Sequence, residues 1–156
     1  MTTTQWLLGF HLVAAFLFVS GAVAVGVLYT AATKRERPSE VAALLGLTRV
    51  GVVLVAVGSI LALVLGAELA RHEGRSGAGW VKAAIVFWFV SVVLGGIGGR
   101  AARHARYLAE RLANEGDQPS AELRRALTSP RALVLNYGSF VAALAILALM
   151  VWQPGG

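Results

Sequence analysis

Residues 5–33 form an apolar run without a formal charge, and this run limits what the chain can fold into. Its one side chain that titrates near neutral pH is His11. Because the run exceeds the roughly 20 residues that cross the hydrocarbon core of a bilayer, it predicts a transmembrane helix. A titratable group in such a helix is costly in lipid and usually faces protein or a cavity. His11 is therefore the leading candidate for a functional residue, and a structural histidine hydrogen-bonded to a neighbouring helix is the alternative.

The composition extends this interpretation to the whole chain. Of its 156 residues, 57% are hydrophobic and only 14% are charged, too few for the surface of a soluble domain of this size. The absence of cysteine excludes disulfides, thiolate metal sites and cysteine nucleophiles. The net charge of +6 does not indicate nucleic-acid binding, because the basic residues cluster beside apolar runs, where they set topology and meet anionic headgroups. No Lys or Arg precedes the first run, so no cleavable signal peptide is expected.

Three further apolar runs follow the first, and together they predict an all-α integral membrane protein. The expected fold is a single domain over residues 1–156, an up-and-down bundle of four transmembrane helices. The predicted spans are residues 5–33, 41–70, 80–99 and 132–152.

The sequences between the spans predict two more features. The third span continues to residue 113 as an amphipathic helix with a basic stripe, expected to lie on the cytoplasmic side. Ser39 is expected to cap the second helix. Ser120 is expected to cap a short interfacial helix that stops before Pro130.

The distribution of charge predicts the orientation. Eleven basic residues flank the connections after helices one and three, against Arg71, Arg75 and Lys82 on the other side. By the positive-inside rule, this multi-pass protein of a bacterial-type inner membrane has both termini outside. The basic residues predicted to contact anionic headgroups or an acidic partner are Arg49, Arg100, Arg103, Arg111, Arg124 and Arg125.

Two further patterns concern the spans themselves. Gly58, Ala62 and Gly66 recur at helical spacing and predict close packing within the chain, with a dimer face as the alternative. Glu68 and Lys82 flank a short turn on the predicted outer side and could pair as a polar cluster with His11 and His72. The alternative is that Glu68 is solvated and Lys82 extends to the interface. No metal site is predicted.

The opening FHLVAAFLFVSGAVAVG resembles the first helix of an uncharacterised bacterial family of predicted four-helix membrane proteins. That family is similar in pattern to the copper-resistance D domain and to the bacterial membrane protoporphyrinogen oxidase. The likeness extends to Arg49 and to GWVKAAIVFWFVSVVLGG in helix three. The resemblance implies haem on His11. His72 is the one credible second ligand, because His104 lies at the opposite predicted end of the membrane.

Three functions follow from these observations. The first is an accessory or structural membrane protein without independent catalysis, acting as a homo-oligomer or as a subunit of a larger membrane complex. The second is a haem-linked or redox protein that uses His11. The third is a small four-helix transporter, which ranks last because helix one holds no acidic residue. No spacing typical of hydrolase, kinase or protease chemistry is present.

Overall fold

A computed structural model describes residues 2–153, and all regular structure in that range is helical. Four segments are long and apolar enough to cross a membrane: Thr3–Thr33, Pro38–His72, Gly79–Asn114 and Ala121–Trp152. The prediction of an all-α protein with four membrane-length apolar helices is therefore confirmed. The helices are α1 (Thr3–Thr33), α2 (Pro38–His72), α3 (Gly79–Asn114), α4 (Ala121–Thr128) and α5 (Pro130–Trp152).

The start of α2 differs from the prediction. Ser39 is not its N-cap: the helix begins at Pro38, and Arg37 occupies the cap position without a side-chain hydrogen bond. Proline suits the first helical position because its φ is already helical and its missing N–H would have no partner there. The backbone N–H and the hydroxyl of Ser39 both donate to the carboxylate of Asp117, at 2.8 and 2.7 Å. A distant carboxylate therefore caps this helix.

The predicted cap of α4 is confirmed. The Ser120 hydroxyl oxygen accepts a hydrogen bond from the Leu123 N–H at 3.4 Å. Ser129 does the same for α5, accepting from the Ala132 N–H at 3.3 Å, and Pro130 follows as the first helical residue. Each cap satisfies a backbone donor that the helix itself leaves free.

α1 and α2 form the tightest helix pair, and glycines set their separation. A Cβ placed on Gly58 would overlap the backbone nitrogen of Phe18. One placed on Gly21 would lie 2.6 Å from the carbonyl oxygen of Gly51. Small residues allow helix backbones to approach closely in lipid, where apolar burial alone gives little drive for association. The predicted packing role of Gly58 is confirmed.

α3 and α5 form a second tight pair, held by reciprocal serine hydrogen bonds. The Ser91 hydroxyl donates to the Ser139 carbonyl oxygen at 3.2 Å, and the Ser139 hydroxyl donates to the Ser91 carbonyl oxygen at 3.0 Å. The two pairs meet less extensively, through contacts that include the Trp88 indole N–H, which donates to the Ser59 carbonyl oxygen at 3.1 Å. The bundle thus consists of two tight hairpins, α1 with α2 and α3 with α5. The interface between the two hairpins is looser.

One end of the bundle carries the 34–37 and 115–120 connections, and we call it the basic end. Here the α3 extension packs its apolar face on α1, α2 and α4, and the Tyr29 hydroxyl donates to the Leu127 carbonyl oxygen at 2.9 Å. The apolar face of the extension is therefore covered by protein. The buried residues of this cluster are Tyr29, Ala32, Val41, Leu45, Ala105, Leu108, Ala109, Leu123, Leu127 and Ala132.

Candidate functional site

His11 is buried in the seam between α1 and α2, with 7% of its surface exposed. Its ring lies against Gly66, where an added Cβ would be 2.8 Å from the imidazole Cε1 and 3.2 Å from Nδ1. The Nδ1 atom is buried and has no hydrogen-bond partner among the residues described. His11 therefore points into the bundle as predicted, and its contact with Gly66 is a packing contact.

The surroundings of His11 do not fit a haem. An axial ligand needs room for the macrocycle beside its nitrogen, whereas His11 is only 7% exposed and its ring packs against Gly66 of α2. His72, the proposed second ligand, is exposed and lies six residues beyond Gly66, or about 9 Å along the helix. Its Nε2 is 3.5 Å from the Glu68 carboxylate. The two histidines do not form a common site.

The predicted polar cluster takes a different form. Glu68 pairs with Arg71 at 3.1 Å and with His72 at 3.5 Å. Within residues 2–153, no ion pair joins Glu68 to Lys82, which is exposed near the start of α3. Residues three and four positions apart on a helix are neighbours, so the partners on α2 itself satisfy Glu68 first. The sequence analysis named His72 as a member of this cluster but did not name Arg71.

A cavity of about 1500 Å³ lies between the two hairpins, and we call it the central cavity. Its walls come from all four long helices. It exceeds the roughly 300–1,000 Å³ of a usual small-molecule pocket. Several side chains that line it are exposed, among them Val27 on α1, Val53 on α2 and Ile97 on α3, so the cavity is open at the side of the bundle. In a membrane, this opening would face the acyl chains of the lipids.

The walls of the central cavity carry hydroxyl groups whose hydrogen bonds are already made within the protein. Thr48 donates to the Leu45 carbonyl oxygen at 2.6 Å, and Ser59 donates to the Ala56 carbonyl oxygen at 3.1 Å. The serine pair between α3 and α5 also lines the cavity. The remaining wall is mostly valine, alanine and glycine. The walls therefore present hydrocarbon to an occupant.

Basic side chains line the central cavity only where it approaches the basic end. Two of them have acidic partners: Arg35 lies 3.7 Å from Glu40, and Arg106 lies 3.5 Å from Glu110. The other four have no ion pair within the described range, and no acidic residue of that range lines the cavity. We call these four residues the basic rim: Lys34, Arg49, Arg100 and Arg103.

Two of the arginines that line the central cavity, one in the basic rim and one outside it, differ in their surroundings. Arg103 lies with its Nη1 atom 3.9 Å from the position of a Cβ on Gly99, so its side chain runs back along α3 towards the middle of the helix. Arg106 is only 6% exposed, and its guanidinium carbon lies 4.8 Å from the centre of the Tyr107 ring. Sequence reasoning missed the burial of Arg106. Its place between the buried Ala105 and Leu108 is the signal that could have indicated it.

The predicted headgroup contacts divide into two groups. Arg49, Arg100 and Arg103 line the central cavity. Arg111, Arg124 and Arg125 do not: Arg111 lies 3.8 Å from Glu115, and the other two are exposed on α4. The first group surrounds one site, whereas the second lies on the outer surface of the basic end.

No known protein family, no curated protein and no solved structure matches this chain. The resemblance to an uncharacterised bacterial family of four-helix membrane proteins, which is similar in pattern to the copper-resistance D domain and the membrane protoporphyrinogen oxidase, therefore stays a prediction. The central cavity and its basic rim are the features from which a function can be inferred.

Proposed function

We propose that this chain is an accessory protein of a bacterial-type inner membrane, without independent catalysis, that holds an amphiphilic molecule between its two hairpins. It would act as a homo-oligomer or as a subunit of a larger membrane complex. The observation that carries the proposal is the central cavity, with hydrocarbon walls and cations at one end. A molecule with an apolar body and a polar head is complementary to such a site.

The orientation of the protein belongs to the same proposal. Eleven of the fourteen Lys and Arg residues of the sequence belong to the connections at the basic end or to the helix segments next to them. The positive-inside rule then favours a cytoplasmic basic end and two external termini. Arg111, Arg124 and Arg125 would lie at the cytoplasmic headgroups, where anionic lipids attract them.

The two alternative functions have weaker support. The haem-linked alternative needs open space beside His11, whereas the His11 ring packs closely against Gly66 of α2. The transporter alternative usually needs an acidic residue within helix one, and the sequence of α1 holds none. The haem-linked alternative makes no use of the central cavity, because His11 does not line it, whereas the proposed function does.

A pair of matched substitutions on α1 tests the proposal. Gly26 and Gly9 both have nothing within 4 Å of an added Cβ, but only Gly26 lines the cavity. Native mass spectrometry of the protein extracted in mild detergent from membranes would count the lipid-like molecules that each chain retains. We expect retention by the parent protein and by Gly9→Phe, and its loss in Gly26→Phe. Equal retention in all three proteins, or none in the parent, would overturn the proposal.

A further inference from the structure

We infer that the molecule held in the central cavity is an anionic phospholipid, with its phosphate among the basic rim and its acyl chains along the apolar walls. This inference rests on the proposed function, since it names the chemical class of the occupant of the same cavity. It goes further because it assigns the selection of that occupant to Lys34, Arg49, Arg100 and Arg103.

The charges at the rim lack compensation within the protein. Arg35 and Arg106 are paired with Glu40 and Glu110, whereas none of the four rim residues has an acidic partner in the range described. All four are exposed, so they can meet an anionic group that lies at this end of the cavity. Basic pockets between transmembrane helices on the cytoplasmic side are a common form of anionic headgroup site. The charge of the rim therefore selects an anionic head.

The walls make a polar occupant unfavourable. The hydroxyls of Thr48, Ser59 and Ser91 already donate to backbone carbonyl oxygens. A sugar or nucleotide that entered the cavity would lose its hydrogen bonds to water without replacing them, at a substantial cost in free energy. An acyl chain has no hydrogen bonds to lose. The occupant must therefore be apolar beyond its head.

The depth of the cavity matches one leaflet of a bilayer. Arg49 at the rim and Ser59 at the far end of the α2 wall are ten residues apart, which is about 15 Å of helix. On α3, Arg103 and Ser91 are twelve residues apart, or about 18 Å. The hydrocarbon core is about 30 Å thick, so each leaflet supplies about 15 Å. A lipid of the cytoplasmic leaflet would reach the end of the cavity with its head at the rim.

Competition between two phospholipids that share their acyl chains tests the inference. The full-length protein is titrated in detergent with dioleoyl phosphatidylglycerol and dioleoyl phosphatidylcholine, and native mass spectrometry gives the ratio of bound lipids. We expect phosphatidylglycerol to be preferred at least fivefold. Arg49→Gln and Arg100→Gln should each reduce the preference about fivefold, the effect expected for one cation near an anionic surface. Arg131→Gln, which removes a charge at the same end outside the cavity and away from the residues placed at the headgroups, should leave it unchanged.

The outcomes separate this inference from the proposed function. If phosphatidylcholine binds as well as phosphatidylglycerol and Gly26→Phe displaces both, the cavity holds lipid but the rim does not select it. An equal loss of preference in Arg131→Gln and Arg49→Gln would assign the selectivity to overall charge and overturn the inference. If inorganic phosphate displaces phosphatidylglycerol, the rim binds free phosphate, and the inference also fails. A protein dimer that excludes lipid would assign the cavity to a second copy of the chain and overturn both.

Discussion

Ser39 and Asp117 join the start of α2 to the connection between α3 and α4, although they are 78 positions apart in the sequence. The Asp117 carboxylate accepts two hydrogen bonds, from the backbone N–H and the hydroxyl of Ser39. Asp117 has a φ of 55°, in the left-handed region that Asp and Asn adopt more readily than most residues. These hydrogen bonds, the hydroxyl first, hold the pKa of Asp117 below its usual range.

The acid stability of the protein should depend on Asp117. Because its pKa is lower in the folded state than in the unfolded state, where it is about 3.9, its contribution to stability is present above that pH. The contribution is lost as the pH falls through the folded pKa. Asp117→Asn keeps the shape and removes the charge, so it should lower Tm at pH 7 and weaken the decrease in Tm on acidification below about pH 4.

Thermal denaturation in detergent between pH 3 and 7 checks this expectation. Glu36→Gln is the control, because Glu36 is exposed and makes no ion pair among the described residues. Combining Ser39→Ala with Asp117→Asn should cost less than the sum of the two single changes. Additive losses, or an acid response unchanged in Asp117→Asn, would contradict the role given to this pair.

The separation of α1 and α2 should be sensitive to one methyl group at Gly58. Gly58→Ala places a Cβ on the Phe18 backbone, so the helices must move apart; overpacking of this kind costs about 1–3 kcal/mol. Gly46→Ala, on the same helix with nothing within 4 Å, should be neutral or stabilise the protein by up to about 1 kcal/mol. Unfolding in mixed micelles with increasing SDS measures both. Equal effects of the two changes on stability would contradict the close approach of α1 and α2 at Gly58.

His11 and Gly66 should be energetically coupled. Gly66→Ala brings a methyl group within 2.8 Å of the His11 ring, and His11→Ala removes that ring. The double variant should therefore be more stable than the sum of the single losses predicts, by about 0.5–3 kcal/mol. His104→Ala, an exposed histidine of α3, serves as the control and should change stability by less than about 0.5 kcal/mol. Additivity of His11→Ala and Gly66→Ala would show that the ring does not lie against Gly66.

The proposed orientation can be measured with single cysteines, because the chain has none of its own. Thr3→Cys and Gln118→Cys lie at opposite ends of the bundle, and both positions are exposed. We expect a membrane-impermeant maleimide to label Thr3→Cys in intact cells. Gln118→Cys should react only after permeabilisation. The reverse pattern would place the basic end outside and contradict the positive-inside interpretation.

The features that were predicted correctly from the sequence depend on residues that lie close together in the chain. A long uncharged run identifies a membrane-length helix such as α1, and a serine before a helical pattern identifies a cap such as Ser120. Ser39 was assigned wrongly because its partner, Asp117, is distant in sequence. Glu68 has local partners, Arg71 and His72, whereas the prediction offered either a contact with Lys82 across the turn or a solvated Glu68.

The central cavity could not be predicted because it depends on how the two hairpins sit together. Arg49, Arg100 and Arg103 were expected to contact headgroups, and the pattern of charges gave no reason to place them around one cavity. The burial of Arg106 was not predicted either: the charge pattern only counted it among the basic residues of one side, whereas its neighbours on the helix face the apolar cluster.

The two-hairpin arrangement has a consequence for biogenesis. The close contacts at the glycines join α1 to α2. A nascent chain that has emerged as far as His72 therefore already contains the tightest interface of the protein. The central cavity needs residues from both hairpins and arises only when the second docks on the first. The first hairpin can therefore insert into the membrane and pack before synthesis of the chain ends. Any capacity to hold a lipid is acquired in the last step of assembly.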